Sequence, residues 1–313
     1  MKARLSIHVP DEAVHERELA TPANLIIGRD PQCDLVISHH SISRRHLRLD
    51  CAPDGQWLVE DLGSKNGTRM DGRMIAGMQP LSDGAWFAAG DVYLRLEGID
   101  STTEGARRSE ADRRRSSSMI WNQRLRHGGQ GQRLIGDLLQ GIVETADAER
   151  GFLLSRDREG EWRVRACFAM QPEQLAGHAF SGSRSAIERA IAAGRPVYLS
   201  DQRDRAWLQK QQSVMDAGIR ALLAIPLLQD GRALGVVYAD TREAERAYTD
   251  LDAQLLDALV EHAGHVMTAL ELEAGLAEMS ALLQIGSGGQ SAERGPAPSW
   301  SRLTGSQLRA VVS

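Results

Sequence analysis

Three short stretches in the first hundred residues concentrate side chains suited to gripping an anion. Gly28-Arg29 follows one apolar run, Ser41-Ile42-Ser43-Arg44-Arg45-His46 precedes another, and Gly63-Ser64-Lys65-Asn66-Gly67-Thr68 comes after Asp61. An arginine offers a planar fork of donors matched to phosphate or carboxylate oxygens, and a serine hydroxyl adds a neutral donor. Glycines beside them let the backbone turn its own N–H groups toward the same anion. Ser43, His46 and Asp61 are also the residue types of a hydrolytic triad. No strand–turn–helix nucleophile elbow surrounds Ser43, however, so hydrolysis is not the expectation. Asn66-Gly67 alone would be a hairpin turn. The order of three polar loops between apolar runs is what gives them a common purpose.

The elements that must hold these loops are strands. Leu5, Ile7 and Val9 alternate with polar neighbours, as one face of a half-buried strand does. Leu25 to Ile27, Leu35 to Ile37, His46 to Leu49, Trp57 to Asp61 and Val92 to Leu96 are further short runs, broken by turn clusters such as Pro53-Asp54-Gly55. Strands at such short intervals, with no amphipathic helix among them, predict an all-β sandwich over residues 1–100.

From residue 133 the pattern alternates. Leu134, Leu138, Leu139, Ile142 and Val143 recur at helical spacing, and Arg150 to Arg156 pairs with Trp162 to Phe168. Ser183 caps a helix that Gly194 stops, Val197 to Leu199 is strand, and Trp207 to Ala217 is helical. Ala221 to Leu228 and Ala233 to Ala239 form a hairpin, and a long helix follows from about Thr249. This is an α+β unit, an antiparallel sheet with helices laid over it. Leu256, Val260, Ala263, Met267, Leu270, Ala274, Ala277 and Ala281 step by four and three along the last helix, a heptad seam that predicts a parallel homodimer. Leu255, Leu259 and Val266 form a second stripe for the domain's own sheet. His178, His262 and His265 have no recognisable metal spacing, so neither metal nor cofactor is expected.

Composition sets the outer limits. A chain of 313 residues, 42% hydrophobic and 25% charged, suits two globular domains. A net charge of −5 argues against nucleic acid as partner. The charge is uneven: residues 1–100 carry 11 Lys+Arg against 15 Asp+Glu, whereas residues 101–133 carry 8 against 3. Residues 101–132, basic and poor in apolar side chains, read as a disordered linker. The α+β domain is placed at 133–272, a helical extension at 273–285 and a flexible tail at 286–313. Three widely spaced cysteines, Cys33, Cys51 and Cys167, make no disulfide framework and suit the cytoplasm. The longest apolar run, Ala221 to Leu228, is too short to span a bilayer, and Met1-Lys2-Ala3-Arg4 opens no signal peptide. Neither G-x-x-x-x-G-K-[ST] nor H-R-D is present, so no enzymatic output is expected.

The ordered set G-R-D-x-x-C-D, S-x-S-R-R-H and D-L-G-S-K-N-G-T resembles the forkhead-associated (FHA) domain, a reader of phosphothreonine peptides. The resemblance implies that Arg29 and Ser43 hold the phosphate, with Arg44 and Lys65 adding charge or contacting the peptide backbone. It also implies that Asn66 bonds the peptide main chain, with Gly28, His46 and Gly67 supporting the site. Asp71-Gly72 stands where that family usually has Asn-Gly, away from the phosphate position. A-E-R-G-F-L-L, A-L-L-A-I-P-L and L-G-V-V-Y-A-D resemble the GAF domain, a ligand-sensing and dimerising module; the N-K-x-x-F-x-x-x-D-E cyclic-nucleotide signature is absent. The pairing resembles bacterial FHA–GAF signalling proteins. It implies an adaptor that binds a phosphothreonine-containing protein and, through its GAF domain, an unidentified small ligand or a second copy of itself. The alternative is a small-ligand sensor whose FHA domain serves only assembly.

Overall fold

The computed structural model describes residues 2–127, 132–157, 160–171, 175, 183–244 and 246–286. His178 and nearly all of the 286–313 tail lie outside the described residues. The chain divides into two compact units, one of residues up to Arg113 with Ala247–Ala253, the other from Arg114 to Arg246 and from Gln254 onward.

The first unit is a β-sandwich. One sheet orders its strands β2 (His15–Ala20), β1 (Lys2–His8), β11 (Val92–Ile99), β10 (Ala85–Ala89), β7 (Thr68–Met70) and β8 (Arg73–Met74). The other runs β4 (Leu35–Val36), β3 (Ala23–Gly28), β5 (Leu47–Cys51), β6 (Trp57–Asp61) and β9 (Met78–Leu81). All pairs are antiparallel except β3 with β4. Leu5, Ile7, Phe87, Leu94 and Leu96 of one sheet meet Ile27, Leu47, Leu49 and Val59 of the other in one core. Strands β2 and β7 to β10 escaped the sequence reading because they offer little alternation. In His-Glu-Arg-Glu-Leu-Ala of β2, for instance, only Leu19 is buried.

Most of the segment expected to be a disordered linker is helical. α1 spans Ser101–His127. Asp100 starts it, its Oδ1 accepting the Thr102 N–H at 2.8 Å and its carbonyl accepting the Glu104 N–H at 3.1 Å. Glu104 bonds the buried Arg4 of β1 at 2.6 Å, and Arg107 pairs with Glu16 of β2 at 3.2 Å. Farther along, Trp121 and Leu125 are buried. The Trp121 indole donates to Glu144 at 2.8 Å and lies over Gly141, where a Cβ would come within 3.0 Å of the ring. Arg, Ala and Glu are strong helix formers, and ion pairs with two buried side chains suffice to hold a segment that low hydrophobicity suggested would stay unfolded.

The second unit is a five-stranded antiparallel sheet in the order β13 (Trp162–Phe168), β12 (Arg150–Arg156), β16 (Arg232–Thr241), β15 (Ala221–Gln229), β14 (Val197–Ser200). Its helices are α2 (Gln132–Thr145), α3 (Arg184–Ala193), α4 (Asp201–Leu208), α5 (Gln212–Ala217) and α6 (Asp250–Gly286). Ser183 caps α3 through its hydroxyl, and Gly194 ends it in the left-handed conformation. One helix was expected over Trp207 to Ala217, where α4 ends at Leu208 and α5 begins at Gln212. The apolar core under α3 to α5 includes Phe152, Leu199, Leu222 and Tyr238.

α6 runs unbroken through the expected boundary at residues 272 and 273. Its expected dimer seam is already occupied over the first half: Leu256, Ala263 and Met267 are buried within this single chain, as are Leu259 and Val266 of the second stripe. Both stripes are covered because α6 is packed on more than one side. The Ser118 hydroxyl of α1 reaches the Leu255 carbonyl at 3.4 Å, and Thr268 reaches Gln229 at the end of β15. The Leu270, Ala274 and Ala281 side chains lie outside what is described. Leu272, Leu276 and Met279 are 64%, 60% and 57% exposed.

One polar interaction is built into the second sheet. Arg150 of β12 grips Asp240 of β16 through two bonds, Nε–Oδ1 at 2.7 Å and Nη2–Oδ2 at 3.2 Å, both residues being buried. Burial pushes the Asp240 carboxyl up despite the Arg150 guanidinium beside it. Removing the arginine leaves that carboxylate uncompensated. Arg150→Met is expected to lower unfolding stability by about 3–5 kcal/mol in urea denaturation; a loss below about 1 kcal/mol would show that Asp240 does not depend on it.

Candidate functional site

The polar loops meet at one end of the sandwich because backbone bonds tie them together. The Arg29 N–H donates to the Ser43 carbonyl at 3.0 Å and the Asp30 N–H to the Arg44 carbonyl at 3.1 Å, joining the loop after β3 to the loop before β5. This close approach requires Gly28: a Cβ there would lie 2.1 Å from the Arg44 carbonyl oxygen. The loop after β6 is joined by the Lys65 N–H, which donates to Ser43 Oγ at 2.9 Å, and by Asn66 Nδ2, which donates to the Ser41 carbonyl at 2.7 Å.

His46 is the buried post beneath them. Its Nδ1 accepts the Ser43 N–H at 3.1 Å, so the ring proton sits on Nε2, which points to the Gly67 carbonyl at 3.3 Å. Burial pushes the His46 pKa below its ordinary value, against the pull of the Gly67 carbonyl and of Asp61. Gly67 takes a positive φ of 72°, and a Cβ would strike the Met74 sulfur at 2.5 Å. Asp61 organises the third loop, accepting from the N–H groups of Gly63 and Ser64 and the hydroxyls of Ser64 and Thr68. Burial raises its carboxyl, but those donors outweigh it and hold Asp61 below the usual carboxylate range.

The result is an open cavity of about 720 Å³. Arg29, Ser43, Arg44, Lys65 and Asn66, the five residues singled out in the sequence, all line it, while Gly28, His46 and Gly67 form its frame. Arg45, His40 and Ser41 also line it and were not singled out, although the S-x-S-R-R-H run contained two of them. Arg29, Arg44, Arg45 and Lys65 bring four cations, against one carboxylate from Asp30. Ser43 Oγ, already accepting from Lys65, keeps its own proton to donate. Ser43 reaches His46 through its backbone and not through Oγ, so these residues do not make a nucleophile–base pair. What the cavity can do is receive a compact dianion and bond the chain that carries it.

The family model of the FHA domain matches residues 25–90, and that of the GAF domain matches residues 132–268. The FHA domain-containing protein FhaB of Mycolicibacterium smegmatis is 37% identical over 73 residues, 23% of this chain and 46% of its own length. The chain thus matches under half the length of that relative. Among solved structures, the FHA domain of CT664 from Chlamydia trachomatis is 34% identical, with 32% of this chain and 100% of that one covered and a TM-score of 0.31. The FHA-1 domain of Rv1747 from Mycobacterium tuberculosis is 27% identical, with 31% and 97% covered and a TM-score of 0.26.

The neutral His46 ring sets a pH dependence. Because burial depresses its folded pKa, its contribution to stability is full above about 6.5 and is lost as pH falls through the folded value. Protonation fills Nδ1 and breaks the bond from Ser43. His15 works the other way: the bond to Glu12 raises its pKa, with burial opposing and Asp250 adding to the rise, so its contribution fades as pH increases. Comparing variants separates the two. The melting temperature of the full chain should fall more steeply between about pH 7 and pH 5 than that of His46→Asn, whose side-chain oxygen accepts the same N–H without titrating. Parallel curves would remove His46 as a titrating post.

Proposed function

We propose that this chain, an FHA domain followed by a GAF domain, is a non-enzymatic signalling adaptor that captures a phosphothreonine-containing partner protein in the cytoplasm. The convergence of Arg29, Ser43, Arg44, Lys65 and Asn66 on one cavity carries this reading. A phosphothreonine brings close to two negative charges and three acceptor oxygens. Arg29 supplies the charged fork, Ser43 Oγ the neutral donor, and Arg44 and Lys65 the surrounding field. Asn66, anchored on the Ser41 carbonyl, bonds the peptide main chain and fixes register. Gly28, His46 and Gly67 hold the loops at the required spacing. The wide spacing of Cys33, Cys51 and Cys167 along the chain suits a reducing compartment.

The GAF unit is the dimerising half in this reading. The seam belongs to the part of α6 where Leu272, Leu276 and Met279, spaced by four and three, stand exposed. An apolar stripe continuing a helix beyond its own domain suits a second copy of the same helix.

The reading is tested by screening the full chain against a phosphothreonine peptide library and titrating a selected peptide by calorimetry. Arg29→Ala should weaken binding by about 2–3 kcal/mol, roughly 30- to 150-fold in Kd, and Ser43→Ala by less. Asn66→Ala should weaken the peptide while preserving the preference for its phosphorylated form. Equal affinity for phosphorylated and unphosphorylated peptide would defeat the assignment. For the second half, light scattering at tens of micromolar should find a dimer that Leu272→Glu converts to monomer. A wild-type monomer at that concentration would remove the seam.

A further inference from the structure

Beside the phosphate cavity lies a cluster that the phosphopeptide reading does not use. His39 and His40 follow β4, and Asp91 occupies the turn between β10 and β11. One ring nitrogen of each histidine and a carboxylate oxygen of Asp91 all lie within 4.8 Å of one another. His40 Nε2 and Asp91 Oδ2 stand 3.9 Å apart, on side chains 84% and 62% exposed. Two ligands of a tetrahedral zinc ion, each about 2.0–2.1 Å from the metal, are about 3.4 Å from each other. Closing on an ion therefore asks His40 and Asp91 to draw together by roughly half an ångström and the widest pair by up to about 1.4 Å, movements that fall mainly to the exposed His40 and Asp91 side chains.

The cluster has a buried support. Ser41, 4% exposed, places its Oγ 2.8 Å from His39 Nδ1 and accepts the Asp91 N–H at 2.9 Å. One hydroxyl thus links two of the three residues, and a hydrogen bond to a histidine ring fixes its orientation for ligation. The His40 ring lies 4.3 Å from that of His39, centroid to centroid.

We propose that His39, His40 and Asp91 form a binding site for a divalent transition-metal cation of the zinc class at the rim of the cavity. Two imidazoles and one carboxylate suit zinc, cobalt or nickel, whereas magnesium and calcium favour all-oxygen shells. Three protein ligands leave a fourth position open to water or to an anion. Because His40 also lines the cavity, the ion would add positive charge where the peptide lies. Its loop also bears the Ser41 carbonyl that holds Asn66, so occupancy stiffens a contact of the peptide site.

The test reads the metal directly and is independent of phosphopeptide binding. Chelator-stripped full chain is titrated with Zn²⁺ by calorimetry, in parallel with His40→Ala and Asp91→Asn. One zinc per chain should bind the wild type, each variant should bind at least about tenfold more weakly, and Mg²⁺ should not compete. Co²⁺ loading should give visible d–d absorption without a near-ultraviolet thiolate band. Absence of saturable zinc binding at micromolar concentrations overturns the site. So does unchanged affinity in both variants, or a thiolate band, which would place the ion on a cysteine.

Discussion

Everything at the binding end of the sandwich depends on one close approach between two backbones. Gly28 ends β3 against the Arg44 carbonyl, with no room between them for a side chain. The pair of bonds from the Arg29 and Asp30 N–H groups to the Ser43 and Arg44 carbonyls then follows. A methyl group at residue 28 would force the two loops apart and carry Arg29 away from Ser43. Since a one-ångström displacement is enough to spoil a charge-assisted bond, the smallest residue in the site sets the position of its largest cation.

The cavity separates its buried supports from its exposed cations by desolvation. His46, Ser41 and Thr68 are buried, neutral and fully engaged in holding loops. Arg29, Arg44, Arg45 and Lys65 are exposed and stay hydrated. Burying four like charges without an anion would be prohibitive, and leaving the posts in water would make them mobile. The neutral His46 tautomer fits this division: its ring can sit in the interior because it carries no charge, accepting at one nitrogen and donating at the other.

Sequence made some of this legible and hid the rest for physical reasons. Strands with clear alternation, such as Leu5-Ser6-Ile7, and the polar loops between them could be read because local chemistry repeats locally. The grouping of Arg29, Ser43 and Lys65 was legible through the ordered motifs that resemble the FHA domain. His39, His40 and Asp91 could not be grouped, since their loops belong to different sheets, joined where the Asp91 N–H bonds Ser41 Oγ, and no spacing records it. α1 was misread because composition weighs apolar content, whereas a few well-placed partners, Arg4 for Glu104 and Glu144 for Trp121, decide whether a polar helix docks.

The first half of the expected dimer seam is covered within the chain for a subtler reason. A heptad repeat states that one face of a helix is apolar; it does not state whether the partner belongs to the same chain. Leu256, Ala263 and Met267 satisfy the repeat and are spent inside their own domain. Leu272, Leu276 and Met279 satisfy it in a different phase and stay exposed. The change of phase falls where α6 passes the β15–β16 hairpin, at the Thr268–Gln229 contact. α1 meets this helix at Leu255 and β15 meets it at Thr268, while Leu272, Leu276 and Met279 beyond are exposed. Distinguishing the two stripes therefore required knowing where the domain ends in space, which the fold determines and the periodicity of a single helix does not.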